Sequence, residues 1–144
     1  MTTKVAVVGG GAAGLIASYQ AALNGGKVYL FERNPNLGRK ILISGKGRCN
    51  LTNIKDLNDF IAHYPTNGKF LYSSLVAFSN KDLISFFENL GVKTKVERGG
   101  RVFPKSDRSI DIVNALQKAL INLGVNIMYK SRVRELIIEH NRIK

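Results

Sequence analysis

A parallel α/β fold is predicted by three features of the first 32 residues. These are a short β-branched apolar segment at Lys4–Val8, a glycine-rich turn running into an alanine-rich helix, and a second apolar strand ending on the carboxylate of Glu32. Lys4–Val8 is short enough for a buried strand. From Ala12 to Asn24 small residues prevail: Leu15, Ser18 and Ala22, and likewise Ala13, Ala17 and Ala21, recur at helical spacing, and their size lets a helix lie close to a sheet. Gly25-Gly26 stops that helix. Val28–Glu32 then completes a βαβ unit over residues 4–32, with the right-handed crossover such units adopt.

The 144 residues, 44% hydrophobic and 22% charged, suffice for one globular domain and exclude a disordered chain. A single cysteine, Cys49, excludes a disulfide scaffold and fits a reducing, cytoplasmic setting. Lys and Arg total 22 against 10 Asp and Glu, for a net charge of +12. That balance points to nucleic acid, an anionic membrane surface or a phosphate-bearing ligand as partner. The uncharged window between Lys4 and Lys27 is broken by Gly9, Gly10, Gly11, Gly14, Gly25 and Gly26. It therefore lacks the roughly 20 predominantly apolar residues of a spanning helix and does not read as a signal peptide.

Beyond Glu32, residues 33–53 read as an extended functional loop with one short helical turn. The segment 54–91 reads as helical, with helices near Asp56–Ala62 and Phe70–Phe78. A third helix there is capped by Asn80, faced by Leu83, Phe86, Phe87 and Leu90, and ended by Gly91. Short strands at Lys93–Glu97 and Arg101–Phe103, about the Gly99-Gly100 turn, make a small β element over 93–103. In the remainder, 107–144, a helix starts at Asp107 or Ser109. Its stripe is Ile112, Leu116, Ala119, Leu120 and Leu123, and Gly124 closes it; strands follow at Val125–Met128 and Val133–Ile138. A strand opening so near an Asn141-Arg142 turn candidate suggests a truncated domain.

Gly9, Gly11 and Gly14 satisfy G-x-G-x-x-G between a strand and a helix. The first permits the tight turn, the second lets backbone approach a pyrophosphate, and the third brings helix against strand. The helix start at Ala12 and Ala13 offers unpaired N–H groups and about half a positive charge, worth ~0.3–1 kcal/mol per anion contact. Glu32 lies 18 residues after Gly14, where a carboxylate accepts hydrogen bonds from an adenosine ribose. It repels a 2′-phosphate, which disfavours NADP despite the neighbouring Arg33. FAD and NAD both remain open at this point.

The next segment, GRKILISGKGRCNLTN (Gly38–Asn53), has no Walker frame and no aromatic residue for base stacking. As ligand lining, its glycine N–H groups with Ser44, Asn50, Thr52 and Asn53 supply neutral hydrogen-bonding groups, while Lys40, Lys46 and Arg48 supply charge. A solvated basic surface loop is the alternative.

Taken together, GGGAAGL, Glu32, SGKGRCNLTN and the later GRVFPKSDRS (Gly100–Ser109) resemble the BaiN/RdsA-type, or YhiN-like, NAD(P)/FAD-dependent oxidoreductases. The resemblance covers essentially the whole chain, but only the N-terminal third of such proteins. It implies a Rossmann-like FAD-binding domain of the two-dinucleotide-binding-domain flavoprotein type, truncated here, with hydride passing between NAD(P)H or an organic substrate and flavin. By position, Gly9, Gly11 and Gly14 match its pyrophosphate turn and Glu32 its ribose acceptor. Lys40, Ser44, Gly45 and Asn50, Thr52 and Asn53 match the segment expected near pyrophosphate and flavin ring. The backbone of Val133 matches a strand that meets adenine.

Cys49 has no second cysteine, so dithiol chemistry within this chain is excluded; as a lone thiol it reads as a small hydrophobe. His63 and His140 lack ligand-spaced partners, so no metal is expected. Tyr64 and Tyr72 read as rim or core. Glu97, Arg98 and Arg101 receive no role from the sequence. Two other readings stay in play: a Rossmann NAD-dependent dehydrogenase and, from the charge alone, a basic nucleic-acid-binding protein. The expected partner is a small-molecule substrate, with neither nucleic acid nor membrane. A sheet cut at this length leaves an open edge, so the chain is expected to self-associate or bind FAD weakly, without NADH turnover. Light scattering and an NADH oxidation assay check this; a monomer that keeps stoichiometric FAD and oxidises NADH contradicts it.

Overall fold

The computed structural model describes residues 2–139 and 142–143. In chain order its elements are β1 (Lys4–Val8), α1 (Ala12–Leu23), β2 (Lys27–Phe31), α2 (Arg39–Ile43), β3 (Thr52–Asn53), α3 (Leu57–Ala62) and α4 (Tyr72–Ala77). There follow α5 (Asn80–Asn89), β4 (Thr94–Glu97), β5 (Arg101–Pro104), α6 (Ser109–Asn122), β6 (Asn126–Met128), β7 (Ile138–Glu139) and β8 (Arg142–Ile143). The chain forms two compact units, residues 1–40 with 116–144, and residues 41–115.

The first unit holds a parallel sheet in the order β1-β2-β6. Lys4 lies opposite Lys27 and Val8 opposite Phe31, while Tyr29 to Phe31 pair with Asn126 to Met128. The central strand is the most deeply covered, with Val28 and Leu30 buried, as parallel strands flanked by helices require. Leu15 and Ser18 are the buried face of α1; Leu116, Ala119 and Leu120 are buried on the second half of α6. The second unit is built on an antiparallel sheet, β3-β5-β4, with Val102 of β5 opposite both Thr52 and Val96. Phe87, Val92, Val102, Phe103, Ile112 and Val113 are among its buried apolar residues. Among the described residues no helix is long and apolar enough to cross a membrane.

Several expected boundaries shift for identifiable reasons. Ser79, not Asn80, caps α5. Its hydroxyl accepts from the Asp82 N–H at 3.2 Å and the Asp82 carboxylate accepts from the Ser79 N–H at 2.8 Å, a reciprocal capping box. Asn80 is thereby free to donate its amide to the carbonyls of Asn53 (2.6 Å) and Lys55 (2.7 Å). The helix expected over Phe70–Phe78 starts only at Tyr72, behind a 3-10 turn at Gly68–Leu71, and Phe78 is extended. Asp107 does not open α6; it sits in the left-handed region at φ 58°, two residues before the helix. Val133–Ile138 is not a strand. Residues 131–137 are irregular, and Ile138 belongs instead to the small β7-β8 hairpin. His140 and Asn141 lie outside the described residues.

Ser79→Ala should destabilise the protein by about 1 kcal/mol through loss of the cap. Asn80→Ala should leave the helix start intact and loosen the ties to Asn53 and Lys55. Urea midpoints read the first effect and amide exchange at residues 53–55 the second.

Candidate dinucleotide-binding site

In the first unit each glycine of the turn has its own steric reason. Gly9 sits at φ 99°, a conformation L side chains rarely adopt, and its N–H donates to the Phe31 carbonyl at 2.8 Å. At Gly14 an added Cβ would stand 1.8 Å from the Gly9 carbonyl oxygen, so helix and turn are in direct backbone contact. At Gly11 the same atom would meet nothing within 4 Å, although φ there is an ordinary −81°. The glycine at position 11 thus leaves open space at the start of α1. No side chain caps that end and no acidic residue occupies its first turn, so its N–H groups, Ala12 and Ala13 among them, are left for an external acceptor.

Glu32 is buried, only 7% exposed, at the end of β2. One carboxylate oxygen accepts from the Gly10 N–H at 2.7 Å; the other accepts from Asn34 N–H at 2.8 Å and from the Asn34 side-chain amide at 2.5 Å. Arg39 donates to Asn34 Oδ1 at 3.0 Å. Burial opposes the charged form, but the hydrogen bonds from Asn34 and Gly10, with the charge of Arg33, hold the carboxyl below its ordinary range. It is therefore ionised at neutral pH. These three bonds leave about one of its roughly four acceptor positions. Gly10 has no space for a side chain either: its Cβ would fall 2.4 Å from Leu37 Cδ2. Gly10, Asn34 and Leu37 take part although no motif marks them; the one sign in the sequence is the extra glycine, Gly10, between Gly9 and Gly11. Arg33 and Lys40 are exposed, and Val133 is half-buried in irregular chain rather than on a strand.

In the second unit the Ser44–Asn53 loop begins with a 3-10 turn at Ser44–Gly47, and Gly45, Lys46, Gly47 and Cys49 all have positive φ. Ser44 donates its hydroxyl to the Ile41 carbonyl at 2.8 Å. A Cβ on Gly45 would fall 2.7 Å from the Asn50 N–H nitrogen and 3.2 Å from the Phe103 ring. The polar side chains expected as ligand donors are largely engaged internally. Asn53 donates to the Gly99 carbonyl at 2.7 Å and accepts from Lys55 N–H at 3.0 Å. Asn50, its amide oriented to satisfy both groups, donates to the carbonyls of Thr52 and Val102 at 3.1 and 3.2 Å. Thr52 lies in β3 opposite Val102. Burial pushes the Cys49 thiol up, which keeps it protonated and unreactive at neutral pH.

Glu97 and Asp107 hold Arg48 and Lys95 in a ring of ion pairs. Hydrogen bonds from Arg48 and Lys95, respectively, keep the two carboxyls below their usual range. Their contribution to stability is thus present above the ordinary carboxylate pKa and is lost as pH falls through the lowered one. Arg101 lies beside Phe103 and donates to the Arg98 carbonyl. His63 is exposed, between the Asp59 carbonyl and the Lys55 ammonium. Tyr64 and Tyr72 are exposed, and no group of metal-binding side chains occurs among the described residues.

Residues 3–144 match the family model described as the HI0933-like protein Rossmann domain. The chain belongs to that family. It is 35% identical over 135 residues to the 3-dehydro-bile acid delta(4,6)-reductase of Clostridium scindens, covering 92% of this chain and 32% of that protein. It is 34% identical over 131 residues to the ribosomal RNA dihydrouridine synthase of Haemophilus influenzae, covering 90% and 32%. The chain thus spans about a third of the length of these curated relatives. Among solved structures, the fold resembles 3-ketosteroid-delta4-(5alpha)-dehydrogenase from Rhodococcus jostii RHA1, with TM-score 0.68 at 17% identity over 94% of this chain and 39% of that one. It also resembles Thermovibrio ammonificans THI4, with TM-score 0.61 at 16% identity over 100% and 44%. The Rossmann-like α/β fold expected from the βαβ unit, and the family expected from SGKGRCNLTN, are both borne out.

The two open and closed glycines predict opposite failures. Gly11→Val should leave the circular dichroism spectrum unchanged and abolish binding of an adenosine diphosphate ligand. Gly14→Ala should fail to fold or melt far below the parent, because backbone cannot yield to a methyl group at that distance. Spectra, melting curves and ADP titration compare the two.

Proposed function

We propose that this chain binds FAD by its adenosine diphosphate half and serves a flavin-dependent oxidoreductase. One observation carries the reading: an uncapped helix start with open space over Gly11, on the same turn whose Gly10 amide is bonded to a buried, ionised Glu32. In this reading the N–H groups of Ala12 and Ala13 hold the pyrophosphate and Glu32 accepts a ribose hydroxyl. Arg33, Lys40, Ser44, Gly45, Asn50, Thr52 and Asn53, with the Val133 backbone, are carried as further cofactor residues from the family resemblance. Asn50 and Asn53 would serve mainly by shaping backbone, since their side chains are engaged within the loop. FAD, when bound, supplies the hydride chemistry, with NAD(P)H as donor; the chain supplies position, polarity and shielding.

The curated relatives suggest the substrate class. A delta(4,6)-reductase and a dihydrouridine synthase both act at a ring carbon–carbon double bond. The substrate proposed here is accordingly a small molecule with such a bond, in the cytoplasm, with no nucleic-acid partner. A second reading, an RNA substrate, is favoured by the +12 charge together with the ribosomal RNA relatives. Binding to structured RNA that weakens steeply with salt would establish that second reading.

Fluorescence titration with FAD, FMN and ADP tests the cofactor. FAD and ADP are expected to bind and compete, and FMN, which lacks the adenosine half, is not. Equal binding of FMN, or no competition by ADP, would refute the assignment.

A further inference from the structure

We infer that Arg48 is a positioning residue for the Ser44–Asn53 loop, not an anion ligand: it closes a ring of alternating charge that clamps the loop's left-handed turn to β4 and to Asp107, two residues before α6. The inference deepens the FAD reading, in which that loop serves the cofactor.

The ring has four members and is closed. Arg48 Nη1 lies 2.8 Å from Glu97 Oε1 and 3.3 Å from Asp107 Oδ1. Lys95 Nζ lies 2.5 Å from Asp107 Oδ2 and 3.4 Å from the same Glu97 oxygen. Each cation therefore touches both anions, and the four charges cancel. Isolated surface pairs contribute little, but a closed network with a stacked guanidinium holds geometry better than any single pair. The Arg48 guanidinium carbon stands 4.1 Å from the centroid of the buried Phe103 ring, whose edge also meets the space beside Gly45. The guanidinium thus has aromatic carbon on one face and carboxylates at its edge.

The loop needs such a tie. Of the five residues 45–49, only Arg48 itself has a negative φ, at −95°; Lys46 at 58° and Cys49 at 62° are non-glycine residues in the left-handed region. Conformations of this kind persist only when the surroundings fix them. Backbone bonds inside the turn are few: Arg48 N–H to Gly45 carbonyl at 3.3 Å and Cys49 N–H to Ser44 carbonyl at 3.0 Å. Arg48 bridges from here to residues 49 and 59 positions further along the chain. A guanidinium already neutralised by two carboxylates offers little attraction to a phosphate, whereas a turn held in this shape presents its N–H groups in fixed directions.

The test uses the chain with Arg48→Met, Arg48→Lys and Asp107→Asn. Asparagine tolerates the left-handed conformation at position 107, so the last variant opens the ring without backbone strain. In ligand-free protein, Arg48→Met and Asp107→Asn should each raise amide exchange at residues 44–53 at least tenfold and leave residues 5–15 unchanged. FAD affinity should fall at least tenfold in Arg48→Met, with the salt dependence of binding unchanged, and Arg48→Lys should restore it only in part. Unchanged exchange in the loop overturns the inference. So does full rescue by Lys with a salt dependence reduced by one charge in Arg48→Met, the signature of a direct anion contact. Should the parent chain bind no FAD, the cofactor reading falls, while the exchange comparison still decides the role of Arg48.

Discussion

Helix α1 and the end of β1 meet with no side chain between them. The contact at Gly14, with the Gly9 carbonyl where a Cβ would be, fixes the entry of the helix to within a fraction of a methyl group. Everything else about the turn depends on that approach. Gly9 must take a positive φ to bring its carbonyl there, and its N–H then reaches the Phe31 carbonyl at the end of β2. Gly10 is left facing Glu32 and Leu37, and its carbonyl accepts from Gly38 N–H at 2.8 Å. The helix start is therefore tied to two later segments before any ligand arrives. Preorganised donors of this kind need no rearrangement on binding, which is where much of their worth lies.

The ring of ion pairs leaves the net charge of +12 untouched, since it joins two cations to two anions. Arg48 and Lys95 are matched one for one by Glu97 and Asp107, and Arg39 is engaged with the Asn34 side chain. Among the described residues of the first unit the one buried carboxylate, Glu32, sits among the amides of Gly10 and Asn34 rather than beside a cation within hydrogen-bonding distance. Net charge measures long-range attraction, whereas the surroundings of Glu32 are set by short-range dipoles.

What could be seen in the sequence was local. The three glycine roles, the carboxylate at the end of the second strand and the stripe of α6 each depend on residues within one or two turns of one another. The cap of α5 was also local and was misplaced by one residue: Ser79 and Asn80 are both good caps, and the deciding sign was Asp82, three positions after Ser79. Val133–Ile138 carried a β-branched pattern, but a pattern forms a strand only when a neighbour pairs with it, and none does among the described residues of 131–137. The partners of Glu32 and Arg48 were invisible for a different reason. Gly10 is 22 positions from Glu32, and Glu97 and Asp107 are 49 and 59 from Arg48. No periodicity reports such distances. The same distances hide the partners of the Asn50 and Asn53 side chains, which donate to the carbonyls of Val102 and Gly99 far along the chain.

The contrast between positions 11 and 14 bears on how proteins of this fold diverge. At position 14 of this chain an added methyl group would strike the Gly9 carbonyl, so a change there bears first on folding. At position 11 the surrounding chain is indifferent to an added methyl group. An alanine there fills part of the open space at the helix start and meets no other atom of the chain. Copies of such a domain with that space open and with it filled would then be a single codon apart, and the residue to inspect first in any copy is the second glycine, not the third.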